Sequence, residues 1–146
     1  MCMGVRTRRL GFSLLELLIV LSVMAILLAL ALPRVSAARD GAAVRSAMSE
    51  LGAAFSTARG AAISRRALVA VILDTARGAV EVRSAGQTLL RRPLRSIYGI
   101  ALASNRDSAV YDARGLGYGV TNLTVVVRRG AMLDTLTMSR LGRVRW

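Results

Sequence analysis

The stretch Arg8-Arg9-Leu10-Gly11-Phe12-Ser13-Leu14-Leu15-Glu16, followed by uncharged, almost wholly apolar sequence from Leu17 to Leu32, decides the reading of this chain. Phe12 to Leu32 is 21 residues, about 31 Å as an α-helix and close to the thickness of a bilayer's hydrocarbon core. Arg6, Arg8 and Arg9 flank its N-terminal side, so the positive-inside rule keeps that end in the cytoplasm and sends the rest outward. Glu16 is the anomaly. A carboxylate at the bilayer centre costs roughly 2.5–3.5 kcal/mol, so it needs a reason to be there. An ordinary secretory signal cut after Ala29-Leu30-Ala31 explains the arginines and the apolar run, but a glutamate is wrong for it.

Glycine, aromatic and glutamate at this spacing resemble the processing site of type IV prepilins and type II secretion pseudopilins. The resemblance implies that a prepilin peptidase cuts between Gly11 and Phe12 and that Phe12 is then N-methylated. It also gives Glu16 a role in filament assembly, pairing its carboxylate with the positive N-terminal amine of Phe12 in the same or a neighbouring subunit. In low dielectric an unpaired carboxylate is costly and a paired one is directional, so the pair sets axial register. The expected organisation is a leader over 1–11, a transmembrane and filament-core half-helix over 12–32, and a soluble domain over 33–146.

The chain has 146 residues and a formal charge of +13, and all 21 of its basic residues are arginine. Loss of residues 1–11 removes three of them and leaves +10 on the side chains. Such a surplus favours anionic partners, although an arginine-only basic set also follows from genome composition. Cys2, within the leader, is the only cysteine, and there is no histidine. Ser-His-Asp and Cys-His nucleophiles and histidine metal sites are therefore excluded. Asp74, Asp107, Asp112 and Asp134 fall at expected strand ends or turns, where aspartate usually caps the backbone. Gly115, Gly117 and Gly119 lack the lysine-serine ending of a phosphate loop and read as a turn. The expectation is a non-enzyme with no cofactor and no metal.

Beyond Pro33, which is expected to kink or break the helix, Val44, Met48, Leu51, Phe55, Ala58 and Ala62 recur at spacings of four and three. They predict an amphipathic helix to about residue 66. From Ala67 the period changes to two. Leu68–Leu73, Val80 with Val82, and Thr88–Leu90 read as an antiparallel meander broken at Gly78 and Gly86. Residues 91–107 read as a connection with one short strand around Ile97–Leu102. A second strand group is expected at Ala109–Tyr111, Leu123–Arg128, Leu133–Ser139 and Val144.

Three further segments resemble the GspH/FimT class of these filament proteins: Ala58-Arg59-Gly60-Ala61-Ala62-Ile63-Ser64-Arg65 before a strand, Val110-Tyr111-Asp112-Ala113-Arg114-Gly115, and Ser139-Arg140-Leu141-Gly142-Arg143-Val144-Arg145. Gly60 departs from the class, which often carries a polar or acidic residue there. The resemblance implies an α+β, type IV pilin-like fold: a long N-terminal helix, half membrane and half amphipathic, packed on two small antiparallel sheets. It implies a single-pass inner-membrane protein with its soluble domain in the periplasm, partnered by the prepilin peptidase and by other major and minor pilins or pseudopilins. The leading function is that of a minor pseudopilin in a type II secretion pseudopilus. The alternative is a FimT-like minor type IV pilin that binds DNA during uptake, with Arg140, Arg143, Arg145 and Trp146 as the DNA-binding candidates. A secreted soluble protein is the third reading, and Glu16 counts against it.

Overall fold

A computed structural model describes residues 13–119 and 122–146, with Pro33 described by its backbone alone. Gly11 and Phe12 lie outside the described residues. The chain divides into two units, Met1–Ser36 and Ala37–Trp146, and the helix α1 (Leu14–Arg65) contributes to both.

In the first unit α1 presents exposed leucine, isoleucine and valine side chains on every side from Leu14 to Leu32. It is long and apolar enough to cross a membrane. Helical backbone runs through Pro33, so the expected break does not occur there.

The second unit is built on the rest of α1. All six residues of the expected stripe are buried, joined by Ala47 and Ala54. Small alanines between large residues let sheet side chains approach the helix closely. The helix stops at a left-handed Arg66 (φ 50°), with Ala67 N–H donating to the Ala62 carbonyl and Arg66 N–H to Ile63. This bonding satisfies carbonyls that the last turn would otherwise leave open.

Among the described residues eight strands follow, in two four-stranded sheets. The first sheet has the order β3-β2-β1-β5, from β1 (Val69–Asp74), β2 (Ala79–Ser84), β3 (Gln87–Arg92) and β5 (Ser108–Tyr111). The second has the order β4-β6-β7-β8, from β4 (Ala101–Ser104), β6 (Leu123–Arg129), β7 (Met132–Met138) and β8 (Val144–Arg145). All pairings are antiparallel. Ala85 and Gly86 both have positive φ, as a two-residue hairpin between twisted strands requires. Val69, Val71, Val80, Val82, Leu123, Val125, Val127 and Leu136 turn inward and meet the helix stripe in one core.

The α+β plan is therefore as expected, with three further corrections. Ala109–Tyr111 belongs to the first sheet, where β5 pairs with β1 in the register Val69↔Tyr111. Residues 91–107 contain a short helix α2 (Leu94–Tyr98), and the strand begins later than expected, at Ala101. The helix forms because Pro93 fixes φ at its start and Gly99, left-handed at φ 64°, ends it. Asp134 lies inside β7 opposite Val127 and is not at a strand end. The strand expected at Val144 is present: β8 pairs with β7 through Thr137↔Arg145 and Met138↔Val144, so the C-terminal segment lies along the sheet.

Candidate functional site

Two places carry the candidate residues. Glu16 lies in the first turn of α1 and is exposed among apolar neighbours. The free N–H groups of a helix start carry partial positive charge, which favours an acid in the first turn.

The other candidates lie at the C-terminal end of the second sheet. After β7 the chain turns at Gly142 (φ 72°), with Gly142 N–H donating to the Ser139 carbonyl and Ser139 N–H to that of Arg143. A Cβ at Gly142 would stand 2.9 Å from Tyr111 Cε1 and 3.1 Å from the Gly115 carbonyl oxygen. Only glycine fits that turn at this packing distance.

The turn and β8 wall an open groove of about 620 Å³ lined by Asn122, Leu123, Thr124, Thr137, Met138, Ser139, Leu141, Arg143 and Arg145. Two candidate arginines thus share one groove, and its lining contains no acid. Among the described residues neither forms a salt bridge. Arg140 is exposed on the turn and does not line the groove. Trp146 is directed to the helix instead. A Cβ at Gly52 would stand 2.7 Å from its Cη2, so the indole lies directly on the backbone there. With Phe55, Ser56, Arg59, Tyr111, Gly142 and Val144 it lines a separate cavity of about 200 Å³.

Tyr111 holds the base of this arrangement. Its side chain is 1% exposed and its hydroxyl donates to the Gly142 carbonyl at 3.3 Å. Burial pushes the phenol up to about 12, against the opposing pull of Arg59. Asp112, next in sequence, organises the loop beneath. Its Oδ1 accepts from Leu116 N–H at 2.8 Å and Arg114 N–H at 2.9 Å. The Leu116 bond is the main reason that its carboxyl lies below the usual range. The loop folds back on β5, with a bridge between Tyr111 and Gly117 and a bond from Tyr118 N–H to the Val110 carbonyl. Asp74 caps its own turn in the same way, through Arg77 N–H at 2.8 Å.

A second link joins distant segments. Arg129 Nε donates to Asp40 Oδ1 at 2.9 Å, and its Nη1 donates to the Tyr98 carbonyl. The β6–β7 turn is thereby held against the first turns of the helix in this unit. Sequence reasoning missed Arg129, Asp40, Gly52 and the role of Tyr111. Gly52 was the one available signal, as a glycine that weakens a helix without evident cause. Among the described residues no group of histidine, cysteine, aspartate and glutamate is arranged to hold a metal.

A long N-terminal helix, apolar over a membrane length at its start, together with two small antiparallel sheets gives a type IV pilin-like fold. Residues 6–32 match the prokaryotic N-terminal methylation motif. The fold matches two crystal structures of the Pseudomonas aeruginosa type IV minor pilin FimU. The form in space group P21 aligns with TM-score 0.60 and 18% identity over 70% of this chain and 86% of FimU. The P65 form aligns with TM-score 0.58 and 18% identity over 69% and 90%. Comparison with curated proteins returns no match.

Proposed function

We propose that this chain is a minor subunit of a filament assembled from the inner membrane, cut after Gly11 and methylated at Phe12, with its globular unit in the periplasm. The observation that carries the proposal is the methylation motif over residues 6–32, which runs into the helix α1 (Leu14–Arg65) of a chain with a FimU-like fold. The role is structural: subunits pack through their helices, and Glu16 answers the N-terminal amine of Phe12. Within this class we assign the chain to a type II secretion pseudopilus in the manner of GspH, contacting the peptidase and other pseudopilins. Replacing Glu16 with alanine relieves a membrane penalty, so insertion and processing continue while recovery in sheared filaments falls. Normal recovery of the alanine variant in filaments overturns the proposal.

One observation favours a second reading, the FimT-like minor pilin that binds DNA: Arg143 and Arg145 share an open groove without a carboxylate. Guanidinium groups engage phosphates through paired hydrogen bonds, and Arg140 adds charge at the rim. Trp146, turned to Gly52, is then a packing residue and not a stacking platform for a base. Changing Arg143 and Arg145 together to glutamine removes most DNA binding by the unit Ala37–Trp146 and lowers the salt slope by about two. The same change at Arg77 and Arg83 has little effect. Equal losses from the two pairs overturn the groove, and no DNA binding at moderate salt leaves the secretion role.

A further inference from the structure

The end of the globular unit where the chain arrives from the apolar segment combines exposed arginines with an exposed apolar hairpin tip. Arg39 and Arg45 are exposed on α1 either side of Asp40 and Gly41. Arg129 holds Asp40 at 2.9 Å and so ties the β6–β7 turn to that point. A Cβ at Gly130 would stand 2.5 Å from Asp40 Oδ2, and one at Gly41 would touch Arg45 Nη1 and Met132 Cγ. The hairpin therefore seats directly on these helical turns. On its outward face Arg128 lies opposite Leu133, which is 64% exposed.

Charge at this end is one-sided. Asp40 is neutralised by Arg129, and Asp134 sits half-buried opposite Val127. Arg39, Arg45 and Arg128 form no salt bridge among the described residues. Chain connectivity also limits where this face lies. Asp40 is eight residues from Leu32, hence at most about 28 Å from the end of the apolar segment.

We propose that Arg39, Arg45, Arg128 and the Leu133 hairpin tip form a docking face for an anionic lipid bilayer, occupied while the subunit awaits assembly. The inference rests on the membrane-anchor reading of the apolar helix. Arginines reach headgroup phosphates while a leucine enters the interfacial layer. The pairing fits a lipid surface better than nucleic acid, which has no apolar layer to receive Leu133. Tethering makes the encounter intramolecular, so weak contacts suffice. Each arginine near an anionic surface contributes roughly a fivefold factor, and the three together about a hundredfold.

The test uses the full chain in vesicles of phosphatidylcholine alone or mixed equally with phosphatidylglycerol. Leu133→Trp in a Trp146→Phe background gives a single reporter, quenched by headgroup-spin-labelled lipid. Hydrogen exchange across residues 128–133 of the unsubstituted chain is the second readout. Docking gives strong quenching and slowed exchange in anionic vesicles only, both lost when Arg39, Arg45 and Arg128 become glutamine. Equal quenching in the two bilayers, or quenching indifferent to those substitutions, overturns the proposal. Arginine-dependent binding of a DNA duplex without lipid-dependent quenching overturns it in favour of a nucleic-acid face. Carbonate extraction of the same samples separates the two levels: a chain that washes off refutes the membrane anchor, and docking with it. An inserted chain without anionic quenching refutes docking alone.

Discussion

Replacing Tyr111 with phenylalanine removes one oxygen from the core and tests whether the C-terminal groove is held from within. The ring keeps its packing, so no cavity opens. What is lost is the hydroxyl's bond to the Gly142 carbonyl, which at 3.3 Å is longer than the usual hydroxyl contact of about 2.7–2.8 Å. The bond itself is then worth less than about 1 kcal/mol, and the larger cost is the buried Gly142 carbonyl left without a partner. Together these give about 1–2 kcal/mol. For a unit of this size that lowers the thermal midpoint by about 4–8 °C.

The variant also changes the alkaline limb. The folded-state value of Tyr111 is about 12, raised from an ordinary 10. Its stabilising contribution is therefore complete below pH 10 and is lost as pH rises through 12. Calorimetry of residues 37–146 at neutral pH and between pH 9 and 12 measures both effects. An unchanged midpoint together with an unchanged alkaline limb refutes the argument that this hydroxyl supports the Gly142 turn.

Three further outcomes follow from the same packing. Gly142→Ala, at φ 72° and 2.9 Å from Tyr111 Cε1, destabilises by about 1–3 kcal/mol. In contrast, Gly60→Ala meets nothing within 4 Å on an exposed helical face and stabilises by up to about 1 kcal/mol; paired urea titrations measure the difference. Asp112 has a depressed folded value, so its contribution is present above the ordinary carboxylate range and is lost as pH falls through the lowered value. Asp112→Ala therefore flattens part of the acid limb in melts between pH 5 and 2, and an unchanged limb refutes the loop-capping role.

The parts of this fold legible in the sequence are those written in local period. The stripe from Val44 to Ala62 repeats at helical spacing and is buried throughout. The β1–β2–β3 meander shows alternation broken by turns at Gly78 and Gly86. Illegible were features set by contacts between distant segments. Nothing near Ala109 states that β5 pairs with β1, because both faces of a short strand look alike until its neighbour is known. Five residues of α2 are too few to display a helical period. The Arg129–Asp40 link spans 89 positions, and neither residue is unusual locally.

The site divides in the same way. Arg143 and Arg145 were recognisable as a pair, and alternate positions around a tight turn do reach one groove. Trp146 is adjacent in sequence but faces the helix, where its indole packs on the backbone at Gly52. Neighbours in sequence share a site only when the strand register directs them to one face.

The most direct measurement is the intact mass of the protein extracted from membranes of cells that express the prepilin peptidase. The expected product is a chain beginning at Phe12 with one added methyl group, and an uncut precursor when Gly11 is replaced by a bulky residue. A mature chain beginning at Leu32 contradicts it, because that product belongs to an ordinary secretory signal and leaves no anchored helix from which to build a filament.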